Sequence, residues 1–164
     1  MSIPRGVGEI CEHYGDPTPF IRPEGSVSEK WQHKVLVTIP LPAPLILSWD
    51  PTPLTPPDTV GRMRCHYLVS KELEDILFLI HREGLWEHLS TFGGCYEWRK
   101  QKGGKKLSTH AWGIAVDFGV DDNPLGAESK MHPQVVEIFK GYGWVWGGEF
   151  ARRDAMHFQR ASGY

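Results

Sequence analysis

Two short segments in the C-terminal third carry the residues best equipped for chemistry. The first is Ser108-Thr109-His110-Ala111-Trp112-Gly113-Ile114-Ala115-Val116-Asp117. The second is Asp154-Ala155-Met156-His157, introduced by Trp144-Val145-Trp146-Gly147-Gly148. Together they offer two imidazoles, one carboxylate ligand and one spare carboxylate. Such a set suits a catalytic zinc centre, in which three side chains hold the ion, one position stays open for water, and a general base stands beside it. A lone buried His or Asp is more often a hydrogen-bonded core residue. Two of each, flanked by small and aromatic residues, point to a site.

The elements that must position these residues are short strands. Gly113 to Phe118 is rich in β-branched and apolar residues and predicts a buried strand. Its period of two puts Ala115 and Asp117 on one face and Ile114, Val116 and Phe118 on the other. An ionised Asp in that setting is costly unless a cation or hydrogen-bond donors meet it. Around His157 the same alternation sets His157 with Ala155 and Gln159, and Met156 with Phe158. Each strand can thus aim one ligand into a common cleft, with His110 supplied from the loop entering the first. Asp154 lies just before the second strand, where a turn could hold it near the reacting water.

At these positions the chain resembles the zinc D-Ala-D-Ala carboxypeptidase and L-alanyl-D-glutamate endopeptidase family, which includes phage endolysins and shares its core fold with the hedgehog signalling domain. The family pattern is Ser-x-His-x-x-Gly-x-Ala-x-Asp, then Trp-Gly-Gly, then Asp or Glu three residues before His. Here it is met by Ser108, His110, Gly113, Ala115 and Asp117, by Trp146-Gly147-Gly148, and by Asp154 and His157. The resemblance implies that His110, Asp117 and His157 bind Zn2+ and that Asp154 is the general base. It extends upstream through Phe92 to Arg99 and makes Arg99 the candidate for holding a substrate carbonyl or carboxylate, with Ser108 a further substrate contact. The insertion Lys100 to Lys106 leaves Lys100 and Lys102 as alternatives to Arg99. An α+β fold is implied, with a small antiparallel sheet and flanking helices.

A chain of 164 residues can bury a real core as one compact unit. Its net charge of -2 predicts no strong pull on nucleic acid or on an anionic wall. Arg99 to Lys106 is the local exception, either a solvated hairpin or a feature of the substrate entrance. Cys11, Cys65 and Cys95 are widely spaced and odd in number, which argues against a disulfide framework and for synthesis in a reducing compartment. Cys95 reads as a structural thiol. Met1 to Glu9 contains no basic stretch followed by an apolar core, so no signal peptide is expected there. No stretch approaches the roughly 18 unbroken apolar residues of a membrane span. A wall-cleaving enzyme of this kind would be made in the cytoplasm and reach the wall by phage- or holin-dependent release.

Eleven of the thirteen prolines fall at or before Pro57. Residues 1–60 are therefore expected to form a Pro-rich wrap packed on the core, with a strand near Lys34 to Ile39, and residues 61–164 to form the catalytic core. Ser70 predicts the N-cap of a helix through about Arg82, with Leu73, Ile76, Leu77 and Ile80 on its apolar face and Gly84 as its stop. A second helix is expected from Pro133, presenting Val135, Val136 and Phe139 and ending at Gly141 to Gly143. His13, His33, His66 and His132 suggest surface or capping roles. His81 and His88 are separated by Gly84 and lack an HExxH motif. Trp31, Trp49 and Trp86 suggest core packing. Trp112, Trp144 and Trp146 border the motif, where they could shape the cleft or pack in the core.

Functionally, these observations lead to a zinc peptidase acting on peptidoglycan stem peptides, as a monomer. Cleavage of the internal L-Ala–D-Glu bond is preferred. Removal of terminal D-Ala, an amidase that frees the stem peptide from the glycan, and a non-catalytic zinc-stabilised wall-binding module are the alternatives.

Overall fold

The computed structural model describes residues 3–47 and 57–163. The architecture is α+β. Among the described residues, four helices flank one six-stranded sheet ordered β2-β1-β3-β4-β6-β5. The strands are β1 (Leu36–Leu47), β2 (Thr59–His66), β3 (Thr91–Gly94), β4 (Ala115–Phe118), β5 (Val145–Trp146) and β6 (His157–Gln159). Every neighbouring pair is antiparallel except β1 with β3, which run parallel with Ile46 opposite Thr91. The sheet is thus mixed and broader than the small antiparallel sheet expected.

β1 continues through Pro40, Pro42 and Pro44, residues that lack the N–H a regular ladder requires. Its register with β2 accordingly shifts between Pro40 and Leu45. The strand begins at Leu36, because Lys34 and Val35 close the helix α2 (Glu29–Val35), capped by Ser28 Oγ accepting from the Lys30 N–H. The expected strand near Lys34 to Ile39 therefore starts two residues late.

Two long helices pack on the sheet. In α3 (Tyr67–Arg82), Val69, Leu73, Ile76, Leu77 and Ile80 are buried, which is the apolar stripe the spacing predicts. The N-cap is His66, not Ser70: Nδ1 of His66 accepts from the Leu68 N–H at 3.1 Å, while Ser70 Oγ donates to Tyr67 O within the first turn. α4 (Pro133–Gly141) buries Val135, Val136 and Phe139 and is likewise capped by a histidine, His132. The first helix, α1 (Gly6–Tyr14), buries Ile10 and Tyr14.

The N-terminal residues are tied to the site-bearing half. Trp31 is fully buried and donates through Nε1 to Ala111 O, and Trp112 Nε1 donates to Gly15 O at 2.9 Å. Tyr14 OH donates to Arg160 O, and Tyr14 O accepts from His66 Nε2 at 2.9 Å. Trp112 and Trp144 are core residues, and Trp86 is half-buried with Nε1 donating to Pro44 O. Trp49 lies outside the described residues.

Candidate metal centre and its cleft

The side chains of His110, Asp117 and His157 meet at the join of β4 and β6. His110 sits in a single 3-10 turn, Thr109–Trp112, which Ser108 Oγ caps by accepting from the His110 N–H at 3.4 Å. Gly113 closes that turn in the left-handed region at φ 70°, where a Cβ would lie 2.9 Å from His66 N, so only glycine fits. β4 then carries Asp117, directly opposite His157 in the antiparallel register. The three ligand atoms all lie within 4.8 Å of one another.

Hydrogen bonds decide which nitrogen each histidine offers. His110 Nδ1 lies 2.7 Å from Cys95 O, and a carbonyl only accepts, so Nδ1 carries the proton and Nε2 is free. That Nε2 faces Asp117 Oδ2 at 3.2 Å and His157 Nδ1 at 3.2 Å. For His157 the logic runs through Gln159. Gln159 Nε2 donates to Ala161 O at 2.9 Å, which turns Gln159 Oε1 toward His157 Nε2, also at 2.9 Å. Nε2 is thereby the protonated nitrogen, and Nδ1 is left facing Asp117 Oδ1 at 2.9 Å. Thr109 Oγ1 donates to the same Gln159 oxygen at 3.0 Å.

Burial alone would raise the Asp117 carboxyl pKa. Without a metal, the charge and hydrogen bond that a protonated His110, then a protonated His157, gives the carboxylate outweigh burial and hold it well below the usual carboxylate range. Burial pushes the His157 imidazole down, but Asp117, Gln159 and Asp154 together raise its pKa. Asp154 stands apart. Burial raises its pKa, and its Oδ1 is buried with no hydrogen-bond partner. A loop holds it in place: the Asp154 N–H donates to Gly147 O at 2.8 Å, and Asp154 O accepts from the His157 N–H at 3.0 Å. A Cβ on Gly147 would sit 2.3 Å from Asp154 O and 3.1 Å from His157 Cβ. The Trp-Gly-Gly segment is a spacing device that lets this loop close.

A cleft of about 340 Å³ opens over the group, with Asp117, His157, Asp154, Arg99 and Ser108 in its walls. Arg99 is anchored by Nε to Glu97 Oε2 at 2.8 Å and by Nη1 to Lys100 O at 3.3 Å. The basic insertion forms a tight hairpin, with Lys100 bridged to Leu107 and Gly103 at its turn, and Gln101 and Lys102 reach the cleft. Lys100 does not line it. Trp112, Trp144 and Trp146 do not line it either; the apolar wall comes from Leu125, Phe150 and Met156. Met156 breaks the expected alternation because it precedes β6, which starts at His157.

Residues 102–160 match the family model described as D-alanyl-D-alanine carboxypeptidase. The match spans about a third of the chain and covers His110, Asp117, Asp154 and His157. It supports a peptidase acting on D-Ala-D-Ala or on other peptidoglycan-derived peptides. No curated protein and no solved structure matches the chain.

Sequence reasoning missed three supports of the site: the Cys95 carbonyl, Thr109 and Gln159. For Gln159 the signal was available, since it lies two residues from His157 on the same strand face. Backbone Cys95 O left none, because any residue could supply it. Cys11, Cys65 and Cys95 are all free thiols, and burial pushes the Cys95 thiol well above its ordinary value, as befits a structural residue.

Proposed function

We propose that the chain is a zinc-dependent peptidase of peptidoglycan stem peptides. The observation that carries this reading is the convergence of His110 Nε2 and His157 Nδ1, each freed by a hydrogen bond at its other nitrogen, with the Asp117 carboxylate, beside Asp154, whose Oδ1 is buried without a hydrogen-bond partner. The donor set fits zinc. Ligand atoms about 2.0–2.1 Å from a tetrahedral zinc stand roughly 3.3 Å apart, close to the 2.9–3.2 Å separations among His110 Nε2, His157 Nδ1 and Asp117. Each imidazole also donates its other N–H to a fixed acceptor, as metal-binding histidines do. Two neutral imidazoles and one carboxylate are hard-to-borderline ligands suited to this ion.

When bound, zinc supplies Lewis acidity at the scissile carbonyl and lowers the pKa of water toward about 7. The remaining work falls to the protein. Asp154 takes the proton from the attacking water on its carboxylate and passes it to the departing amine. Its burial, which raises its pKa, suits a group that must hold a proton between two steps. Arg99, steadied by Glu97, turns its free guanidinium edge to the substrate carbonyl or carboxylate, and Ser108 offers a hydroxyl from the cleft wall. The presence of Asp154 beside the ligands favours an enzyme over a zinc-stabilised binding module.

The bond we assign is the internal L-Ala–D-Glu linkage. Lys102 and Arg152 add cations to the cleft beyond Arg99, more than one terminal carboxylate requires, which favours a substrate continuing past the cleaved bond. Removal of terminal D-Ala is the second reading, favoured by the description of the matching family. Digestion of defined peptidoglycan with mass spectrometry of the products separates them. A new D-Glu amino terminus supports the endopeptidase, free D-Ala the carboxypeptidase, and a new L-Ala amino terminus would replace both with an amidase.

A further inference from the structure

Two cations at the mouth of the cleft hold no metal and carry no proton in the chemistry described above. Lys102 stands on the hairpin that crosses from Lys100 to Leu107, and Arg152 on the loop between Gly147 and His157. The two loops meet across the opening: Arg152 Nη1 lies 3.9 Å from the point where a Cβ on Gly103 would stand. Both side chains are exposed, and neither has an ion pair or hydrogen bond among the described residues. Arg99, by contrast, is already held by Glu97. The carboxylates in the cleft wall, Asp117 and Asp154, belong to the reaction group. A chain of net charge -2 thus concentrates positive charge at one opening. Cations beside a low-dielectric cleft focus their field into it, and an unpaired arginine is built to grip a carboxylate with two N–H groups.

Resting on the peptidase reading above, we propose that Lys102 and Arg152 make the enzyme selective for stem peptides that carry a free carboxylate next to the cleaved bond. Peptides in which that carboxylate is an amide lose the ionic contact and keep the same shape. The two forms of D-Glu, free acid and α-amide, are therefore the discriminating pair.

The test is a comparison of kcat/KM for two synthetic stem peptides, identical except for a free or amidated D-Glu α-carboxyl, on the zinc-loaded full chain. The free acid should be preferred on the order of 10- to 100-fold, mainly through KM. Arg152→Gln and Lys102→Gln should each collapse this ratio toward one, with zinc content and melting temperature holding at the wild-type values. Raising ionic strength should shrink the preference in the wild type. Equal rates on acid and amide would overturn the proposal while leaving the peptidase reading intact. No cleavage of either peptide would instead remove the peptidase reading on which it rests. A second overturning result is equal treatment of the free peptides together with loss of binding to phosphate-bearing walls in the variants, which would assign these cations to wall phosphate.

Discussion

Gln159 Oε1 accepts the Nε2 proton of His157 at 2.9 Å and so leaves His157 Nδ1 facing Asp117. The amide cannot flip without breaking its own donation to Ala161 O. One buried glutamine therefore sets which histidine nitrogen is available to a metal. Gln159→Leu should lower zinc affinity by about 10- to 100-fold while the chain still folds. Competition with a chromophoric chelator reads this directly. An unchanged zinc affinity would show that packing alone orients His157.

Asp154 joins activity and stability with opposite signs. Its half-buried carboxyl, with Oδ1 buried and unpartnered, has a pKa raised by burial, so the metal-free folded state loses stability as pH climbs above the unfolded value near 3.8. Asp154→Asn should melt higher than wild type at pH 7 when both are stripped of metal. It should retain zinc binding and lose about 10²- to 10⁴-fold in turnover. Calorimetry at pH 7 and a turnover assay together check both halves. Near-normal turnover would remove Asp154 from proton transfer.

His66 predicts an acid-sensitive fold. Burial lowers its pKa to about 4; the hydrogen bond from Nε2 to Tyr14 O opposes this, and the neighbouring His13 adds to it. With a folded pKa below the unfolded value of about 6.5, the unfolded chain binds a proton first, so stability falls as pH drops from about 6.5 toward 4. At pH 5 this amounts to roughly 2 kcal/mol. His66→Asn can still cap α3 through its side-chain oxygen and should flatten that slope relative to wild type. Denaturant unfolding at pH 7 and pH 5 measures the difference, and identical slopes would rule His66 out as the source.

Gly147→Ala should open the loop that positions Asp154. The added methyl would stand 2.3 Å from Asp154 O, far inside contact distance. A loss of about 2–3 kcal/mol is expected, with turnover falling further than zinc affinity. Wild-type stability in this variant would mean that the loop relaxes freely.

Much of the site was legible in the sequence because its logic is local. The period-two alternation places Asp117 and His157 on the faces they occupy, and β4 and β6 align them. The stripe of α3 and the start of α4 at Pro133 follow from spacing and proline chemistry in the same way. What escaped was set over long sequence distances. The cap of α3 falls on His66 because the carbonyl of Tyr14, from another helix, holds its ring. The parallel pairing of β1 with β3 has no local signature, since register across a crossover depends on the tertiary fold. Met156 reached the cleft because the strand begins one residue later than its alternation suggested.

The most direct measurement starts from protein stripped of metal with a chelator. Zinc is returned stepwise while new peptide termini released from defined stem peptides are counted. Cleavage should be absent without metal and rise in proportion to added zinc until one ion is bound per chain, with His157→Ala failing to recover. Cleavage that persists without metal, or one bound zinc per chain with no cleavage, would contradict the assignment of His110, Asp117 and His157 as the centre of a zinc peptidase.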